Sequence, residues 1–199
     1  GQLEDLELPG KYDIEKVSLN RQVLRNVVIG DPARPDFTAE EVVVETRLTL
    51  GLPTLGRVTL LHPRLYGTYR QGTLSFGALD KVIFAKTDRA PGLPDIELKV
   101  IDGRGRIDSD LGRVGLKLDG GGNLRSGFAG TLAAVAPQLA LGSCQAAQTT
   151  LFGKLTSSNA RLGFAGPLRS KALSCKGGAR LADGAVQLDL KSSEAFDAL

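Results

Sequence analysis

Apolar and polar positions alternate most regularly between Phe37 and Phe84. One side of the pattern is aliphatic, with Val42, Val44, Leu48 and Leu50, whereas the intervening positions of 41–49 are mostly charged or polar. A period of two places the aliphatic side chains on one face of a strand. Glycine and proline at 51–56 predict a bend, and further short apolar runs follow at 58–61 and 65–70. The stretch predicts consecutive strands and leaves no room for a long helix.

The same pattern extends to both sides of this stretch. Apolar-rich segments at 12–19 and 23–29 predict a hairpin, and alternation resumes at 95–101 and 113–119. Short helical turns are predicted near the ends, at 3–7 and 192–199, and 51–56 is expected to form either a single helical turn or a tight bend. We therefore expect a mainly all-β fold, a long twisted antiparallel sheet of many short strands with at most one or two short helices.

The segment 85–94, AKTDRAPGLP, breaks the alternation. It contains two prolines, a glycine and three charges, without apolar periodicity. Such composition is typical of a linker or a long loop. We therefore predict a first β section at 1–84, a connection at 85–94, and a repetitive β section at 95–199 that continues the same sheet and is truncated at its C-terminal end.

An approximate internal repeat marks the last third of the chain. GFAGTL at 127–132 is followed 36 residues later by GFAGPL at 163–168, and each copy leads to a Ser-Cys pair. Repetition of this kind predicts strands added one after another along a single axis. Between the copies, TLAAVAPQLAL at 131–141 predicts two short strands around a turn, because proline is unfavourable in a helix interior.

Composition refines this picture. Aromatic residues make up only 5%, Trp and Met are absent, and there are 25 glycines, which predicts an aliphatic core with many turns. The missing Met and the Gly at position 1 suggest a piece of a longer polypeptide, with any anchor outside it. No stretch approaches the ~20 apolar residues of a transmembrane helix.

Charge is distributed unevenly. Residues 1–119 carry 17 basic and 18 acidic side chains, whereas residues 120–199 carry 8 and 4. The basic second half could attract anionic lipid headgroups, but a solvated surface is the simpler interpretation. Binding of nucleic acid is not predicted, since no aromatic residues are interleaved with the basic ones for base stacking.

Two cysteines, Cys144 and Cys175, lie 31 residues apart and outside any CxxC motif. With a single histidine in the chain, they do not supply an ordinary four-ligand zinc site. A disulfide and two buried thiols remain as alternatives. We favour the disulfide, because the sequence otherwise has the character of an envelope protein.

Candidate catalytic groups are few. The lone histidine, His62, precedes Pro63 in a strand-rich segment and is interpreted as a rim residue. Asp108 and Asp110 fall on one face of a strand, as a glycosidase pair or a cation site would require, but the neighbouring arginines favour a solvated charge patch. The glycine clusters do not join a strand to a periodic helix, as phosphate binding requires. We predict no catalytic residue, no metal, no cofactor and no enzymatic activity.

The dominant feature is instead an apolar surface distributed over many strands. Its candidate residues are Val42, Val44, Leu48, Val58, Leu60, Ile96, Leu98, Val100, Val114, Leu116, Leu118, Phe128, Leu132, Phe164, Leu168, Val186, Leu188 and Leu190. One-sided alternation also predicts an ordinary sandwich or barrel core. A closed core and an open apolar face both remain as alternatives from the pattern alone.

Residues 12–84 resemble a known family. VLRNVVIGDPARPDFTAEEVVVETRLTL, a bend, and GRVTLLHPRLYGTYRQGTLSFGALDKVIF resemble the AsmA-like superfamily of bacterial envelope proteins, its TamB branch and especially its YdbH-like branch. The pattern P-x-L-x-G/A falls on Pro63, Leu65 and Gly67, followed by 72–76. The later glycine-rich strands match in style only.

The resemblance implies an open, U-shaped β-groove in the periplasm of a Gram-negative bacterium, attached to the inner membrane by an N-terminal anchor outside this sequence. Phospholipid acyl chains would pass along its apolar interior. The first functional expectation is therefore a lipid-binding segment of an intermembrane phospholipid transport protein. An assembly module that aids insertion of an outer-membrane protein is the alternative, and a carbohydrate-active enzyme is the least favoured one.

Overall fold

The computed structural model describes residues 9–18, 20–83 and 93–192, and these residues form one open sheet of 12 strands. The strands are β1 Gly10–Val17, β2 Arg21–Asp31, β3 Arg34–Thr49, β4 Leu52–Leu61, β5 Arg64–Arg70, β6 Thr73–Ser75, β7 Glu97–Ser109, β8 Gly112–Asn123, β9 Ala129–Leu141, β10 Cys144–Ser158, β11 Arg161–Cys175 and β12 Arg180–Lys191. The described helical elements are a 3-10 turn, Gly77–Leu79, and one helical turn, α1 Asp80–Ile83. The all-β prediction is confirmed, and the described strands do not close into a barrel.

Sheet order follows chain order with one exception. The order is β1-β2-β3-β4-β7-β8-β9-β10-β11-β12, and β5 pairs with β3, β6 and β7. All pairs are antiparallel except β4–β7 and β5–β7, which are parallel. Parallel neighbours need a long crossover connection. The chain between Ser75 and Glu97 supplies it, and this mixed junction was not predicted.

A line of backbone kinks crosses the first half of the sheet. Asn26, His62 and Asp102 have φ angles of 51°, 48° and 50°. The register places Asn26 opposite Glu40, Glu40 opposite His62, and His62 opposite Asp102. Positive φ at a non-glycine residue interrupts regular strand geometry. The alternation of side chains between the two faces of the sheet is consequently shifted by one residue at this line. A strict period of two in the sequence does not predict such a shift.

The largest buried cluster lies on β2 and β3, beyond the kink line. Val27, Ile29 and Ala39 are 3–6% exposed, and the 3-10 turn packs Ala78 and Leu79 against them. The Asp36 carboxylate accepts a hydrogen bond from the Ala78 backbone N–H at 3.0 Å and fixes the turn in place. The chain thus covers this end of the sheet with its own helical segment, which we call the cover segment, residues 76–81.

The prediction of two short strands around a turn at 131–141 is wrong. β9 runs without interruption from Ala129 to Leu141, through Pro137. Pro137 lies opposite Gln148, whose φ of 52° already departs from regular strand geometry. A missing N–H is best tolerated at such an irregular position.

Several predictions fall on residues outside the described ranges. The helical turn at 3–7, most of the helix at 192–199 and most of the connection at 85–94 are among them. The division of the chain at 85–94 therefore stays a prediction. The pairing of β4 and β5 with β7 does join strands from both sides of it into one sheet.

Candidate functional site: an apolar face across the sheet

One row of apolar positions crosses ten neighbouring strands. Register partners, taken strand by strand, connect Ile14, Leu24, Val42, Leu60, Val100, Gly120, Gly130, Leu155, Phe164 and Leu190. Partners in register lie on the same face of a sheet. Each position is aliphatic, phenylalanine or glycine, so the row is continuous from β1 to β12.

Two further rows run beside the first. One joins Ile29, Phe37, Leu65, Gly105, Leu116, Ala134, Leu151, Leu168 and Val186. A third row lies between these two. It joins, as successive partners, Gly103, Leu118, Leu132 and Gly153, and it ends with the pair Gly166 and Leu188. These three rows, which we call the apolar face, contain no charged side chain.

The opposite face carries the charged rows, together with a few apolar side chains such as Val23, Val43, Val135 and Phe152. Arg21, Glu45, Arg57 and Glu97 are partners across β2, β3, β4 and β7, and both arginines approach the Glu45 carboxylate, at 3.9 and 3.8 Å. Farther along, a row on this face joins Asp119, Thr131, Lys154, Ala165 and Asp189. The sheet therefore presents one face suited to water and one suited to apolar material.

The repeated GFAG sequence has a structural role on the apolar face. A Cβ at Gly120 would lie 2.9 Å from the Phe128 ring and one at Gly130 would lie 3.2 Å from it, so this ring lies over both glycines. In the second copy, a Cβ at Gly153 would lie 2.7 Å from the Phe164 ring. An aromatic ring packed over strand glycines restores the contacts that a missing side chain would have made. Each copy of the repeat thus supplies one phenylalanine ring, which packs over strand glycines that have no side chain of their own.

Most of the predicted apolar residues are brought together. Val42, Leu60, Val100, Phe164, Leu190, Leu118, Leu132, Leu188, Leu116, Leu168 and Val186 lie in the three rows, and Val44, Val58 and Leu98 form an adjoining row. Val114 pairs with Ile107 at the end of β8, and Phe128 covers the glycines from just before β9.

Two predicted residues do not belong to this face. Leu48 lies near the end of the β3–β4 hairpin and is 76% exposed, and Ile96 precedes β7 outside any strand. Sequence reasoning also missed the glycines of the rows and Ile14, Leu24, Ile29, Phe37, Leu65, Ala134, Leu151 and Leu155. Leu155 lies between polar neighbours and was detectable, whereas Leu24 and Leu151 each have an apolar neighbour and the glycines carry no hydropathy signal.

The lone histidine belongs to an ion cluster on the kink line. His62 Nδ1 lies 2.5 Å from Glu40 Oε2, and Nε2 lies 3.7 Å from Asp102 Oδ2. Desolvation alone would raise the pKa of Asp102, but the hydrogen bond from Arg64 and the positive charges of Arg104, Arg64 and His62 outweigh it and lower that pKa. The cluster joins β3, β5 and β7 at the point where alternation is reset.

Asp108 and Asp110, interpreted from the sequence as part of a solvated charge patch, have different partners in the structure. Asp108 lies 2.8 Å from Arg113 and 3.4 Å from Arg106, whereas Asp110 accepts a hydrogen bond from the Gln71 backbone N–H at 3.3 Å. Each carboxylate therefore faces its own donors. Within residues 9–18, 20–83 and 93–192, no three His, Cys, Asp or Glu side chains are grouped as metal ligands would be.

The predicted disulfide is confirmed. Cys144 on β10 and Cys175 on β11 are bonded, and they are direct register partners with their Cα atoms 4.0 Å apart. The bond joins β10 and β11 at the ends that lie farthest from the turn between them. In the part of the chain that the structure describes, no helix has the length and hydropathy needed to cross a membrane.

Comparison with known proteins identifies the family. The YdbH-like family model, described as intermembrane phospholipid transport protein YdbH, matches residues 2–198. No curated protein sequence matches the chain significantly. The family match spans nearly the whole sequence. The apolar face of the sheet is consistent with a family that transports phospholipid. The chain belongs to the YdbH-like family of intermembrane phospholipid transport proteins.

Proposed function

We propose that the apolar face binds phospholipid acyl chains and carries them across the sheet, from strand to strand, between two membranes. The observation that supports this most directly is the row of ten apolar positions from Ile14 to Leu190. Ten strands at ~4.8 Å spacing span about 43 Å, whereas one leaflet of a bilayer is ~15 Å of hydrocarbon. The face can therefore hold more than one acyl chain along its length.

Binding by such a face is governed by apolar area. Each buried methylene contributes about 0.8 kcal/mol, and no polar group on the three rows selects one acyl chain over another. The headgroup stays at the open side, in contact with water. A fluid chain can then move from one strand to the next at little cost, because successive strands present equivalent aliphatic surface.

The cellular setting is part of the proposal. A role between membranes belongs to the cell envelope, and we infer that the chain lies in the periplasm, joined to the inner membrane by a segment outside this sequence. The open sheet would curve into a U-shaped groove with the apolar face inside. The section before residue 85 would form one end of this groove and the section after residue 94 the other.

The test compares neighbouring residues on opposite faces of β9. Leu132 lies on the apolar face and Thr131 on the polar face. A photoreactive amino acid at position 132 should crosslink to phospholipid in cells, and the same group at position 131 should not. Equal labelling at both positions, or copurified protein that carries no phospholipid in native mass spectrometry, would contradict the proposal.

A second candidate function is assembly with an outer-membrane protein through a sheet edge. β12 pairs only with β11 among the described strands, so its other edge can accept a strand. The Ser192 N–H donates to Leu162 O, which places the N–H of Gln187 on the free side, since donors alternate along an antiparallel strand. Gln187→Pro should abolish strand addition and leave lipid binding intact. If outer-membrane protein insertion is unaffected by Gln187→Pro, this second function is wrong.

A further inference from the structure

A hairpin rich in leucine projects from one rim of the sheet. We define the leucine hairpin as residues 46–55, the outer ends of β3 and β4 with their turn. The last partner of β3 in β2 is Arg21, opposite Glu45, and the first partner of β4 in β7 is Glu97, opposite Arg57. Beyond this level the Thr46 N–H donates to the Asn20 carbonyl at 2.9 Å, and from Leu48 to Leu52 the described backbone pairing is between the two arms alone. At ~3.4 Å per residue, the hairpin extends about 10 Å past Arg47, which still contacts Asp95.

The leucines of this hairpin face solvent in several directions. Leu50 is 98% exposed, Leu48 76%, Leu52 67% and Leu55 42%. Leu48 pairs with Pro53, and Leu52 pairs with Thr49, so successive positions place Leu48 and Leu52 on opposite faces of the hairpin. Leu50 forms the turn with Gly51. One face of the projection therefore carries Leu48, Pro53 and Leu55, the other carries Leu52 beside Thr49 and Thr54, and Leu50 lies at the end.

The polar groups of the leucine hairpin have partners within it. The hydroxyls of Thr49 and Thr54 lie 3.1 Å apart, and the Thr54 hydroxyl donates to the Arg47 carbonyl at 3.3 Å. No charged side chain occurs from Leu48 to Gly56. Transfer of a hydroxyl into an apolar phase is costly only when it is left without a hydrogen bond. The tip can therefore leave water without stranding these two side chains.

Charged groups begin at the base of the hairpin and include both signs. The Arg47 guanidinium donates to the Asp95 carboxylate at 3.3 Å and to its carbonyl at 3.4 Å, and Arg57 lies 3.8 Å from Glu45. These pairs fix the direction of the hairpin relative to β7. They also set a boundary, because the charged base stays in the headgroup region while about 10 Å of tip lies beyond it.

We propose that the leucine hairpin inserts into the hydrocarbon boundary of a phospholipid bilayer. A protein groove would contact an apolar element mainly on one side, whereas leucines on both faces and at the end fit a medium that surrounds the tip. Because the charges at the base pair with one another, insertion depends on apolar area and not on anionic lipid. This site is distinct from the apolar face, and its test does not depend on acyl-chain transport.

The absence of tryptophan from the sequence allows a direct test. Leu50→Trp places one indole at the tip, and Leu141→Trp places the matched control at the β9–β10 turn on the opposite rim, where Leu141 is 51% exposed. With phosphatidylcholine vesicles, the Leu50→Trp emission should shift to the blue and become protected from an aqueous quencher. The Leu141→Trp emission should not change. No shift for Leu50→Trp, or the same shift for both variants, would overturn the proposal.

Affinity for vesicles provides the second measurement. Leu50→Ser and Leu52→Ser should each weaken vesicle binding about tenfold, since each removes the burial of one leucine. Leu181→Ser, on β12 at 58% exposure, serves as the control and should bind as the unmodified chain does. Adding phosphatidylglycerol to the vesicles should change binding little. Unchanged affinity of the hairpin variants, or binding that requires phosphatidylglycerol, would refute insertion by apolar contact.

Discussion

The two ends of the apolar face differ in how they are covered. On β2 and β3, Val27 and Ile29 are 3% and 6% exposed, because the cover segment places Ala78 and Leu79 over them. On β12, Val186 and Leu190 are 59% and 42% exposed. The same rows are thus buried in a core at one end and exposed to solvent at the other. An apolar row in a sequence therefore identifies a face, but the chain that crosses it decides whether it becomes a core.

The largest expected effect comes from truncation under the cover segment. Ile29→Ala should lower the free energy of unfolding by about 2 to 5 kcal/mol, because it removes buried methylenes and leaves a cavity. The matched change Val186→Ala should cost less than ~0.5 kcal/mol, as exposed substitutions do. Chemical denaturation of both variants measures the difference. Equal losses would mean that the open end is covered after all.

Removal of the disulfide should affect the open end selectively. The double variant Cys144→Ser with Cys175→Ser should lose about 2 to 4 kcal/mol, because the bond restrains the unfolded chain over its 31-residue separation. Hydrogen exchange should accelerate in β10–β12 more than in β2–β3. If both regions exchange faster by the same factor, the sheet unfolds as one unit and the comparison of two ends does not extend to their stability.

A third change weakens the cover segment, so that the covered end of the sheet should become more like the open end. Leu79→Ser should cost about 1 to 2 kcal/mol, since it removes a partly buried leucine from the cluster over Val27 and Ile29. If the apolar face binds acyl chains, a photoreactive group at Phe37 should then crosslink to phospholipid, and the same group should not crosslink when the cover segment is intact. Lys81→Ser, at an exposed position of α1, is the control and should leave Phe37 unlabelled.

The sequence predicted the strands well because each strand alternates locally. Val42 and Val44, or Leu116 and Leu118, needed only a period of two, whereas the bond between Cys144 and Cys175 was favoured over two buried thiols because the sequence has the character of an envelope protein. The kinks at Asn26, His62 and Asp102 were not predictable, since none of these residues is a glycine and each φ is fixed by the strands on both sides. The parallel entry of β7 also escaped prediction, because it depends on where the chain after Ser75 returns to the sheet. Leu48 was assigned to the apolar face because the sequence does not show where the neighbouring strands end. In the structure they end before they reach Leu48.

The smallest expected effect concerns the ion cluster at the covered end. Because the folded-state pKa of Asp102 lies below its ordinary value of 3.8, its ionised form stabilises the fold above that value, and this contribution is lost as the pH falls through the lowered pKa. Asp102→Asn should therefore flatten the acid limb of the stability profile and leave its neutral limb nearly parallel to that of the unmodified chain. Arg64→Gln removes the principal donor to the carboxylate and should flatten the same limb. An acid limb of unchanged slope in both variants would mean that this cluster does not contribute to the difference between the two ends.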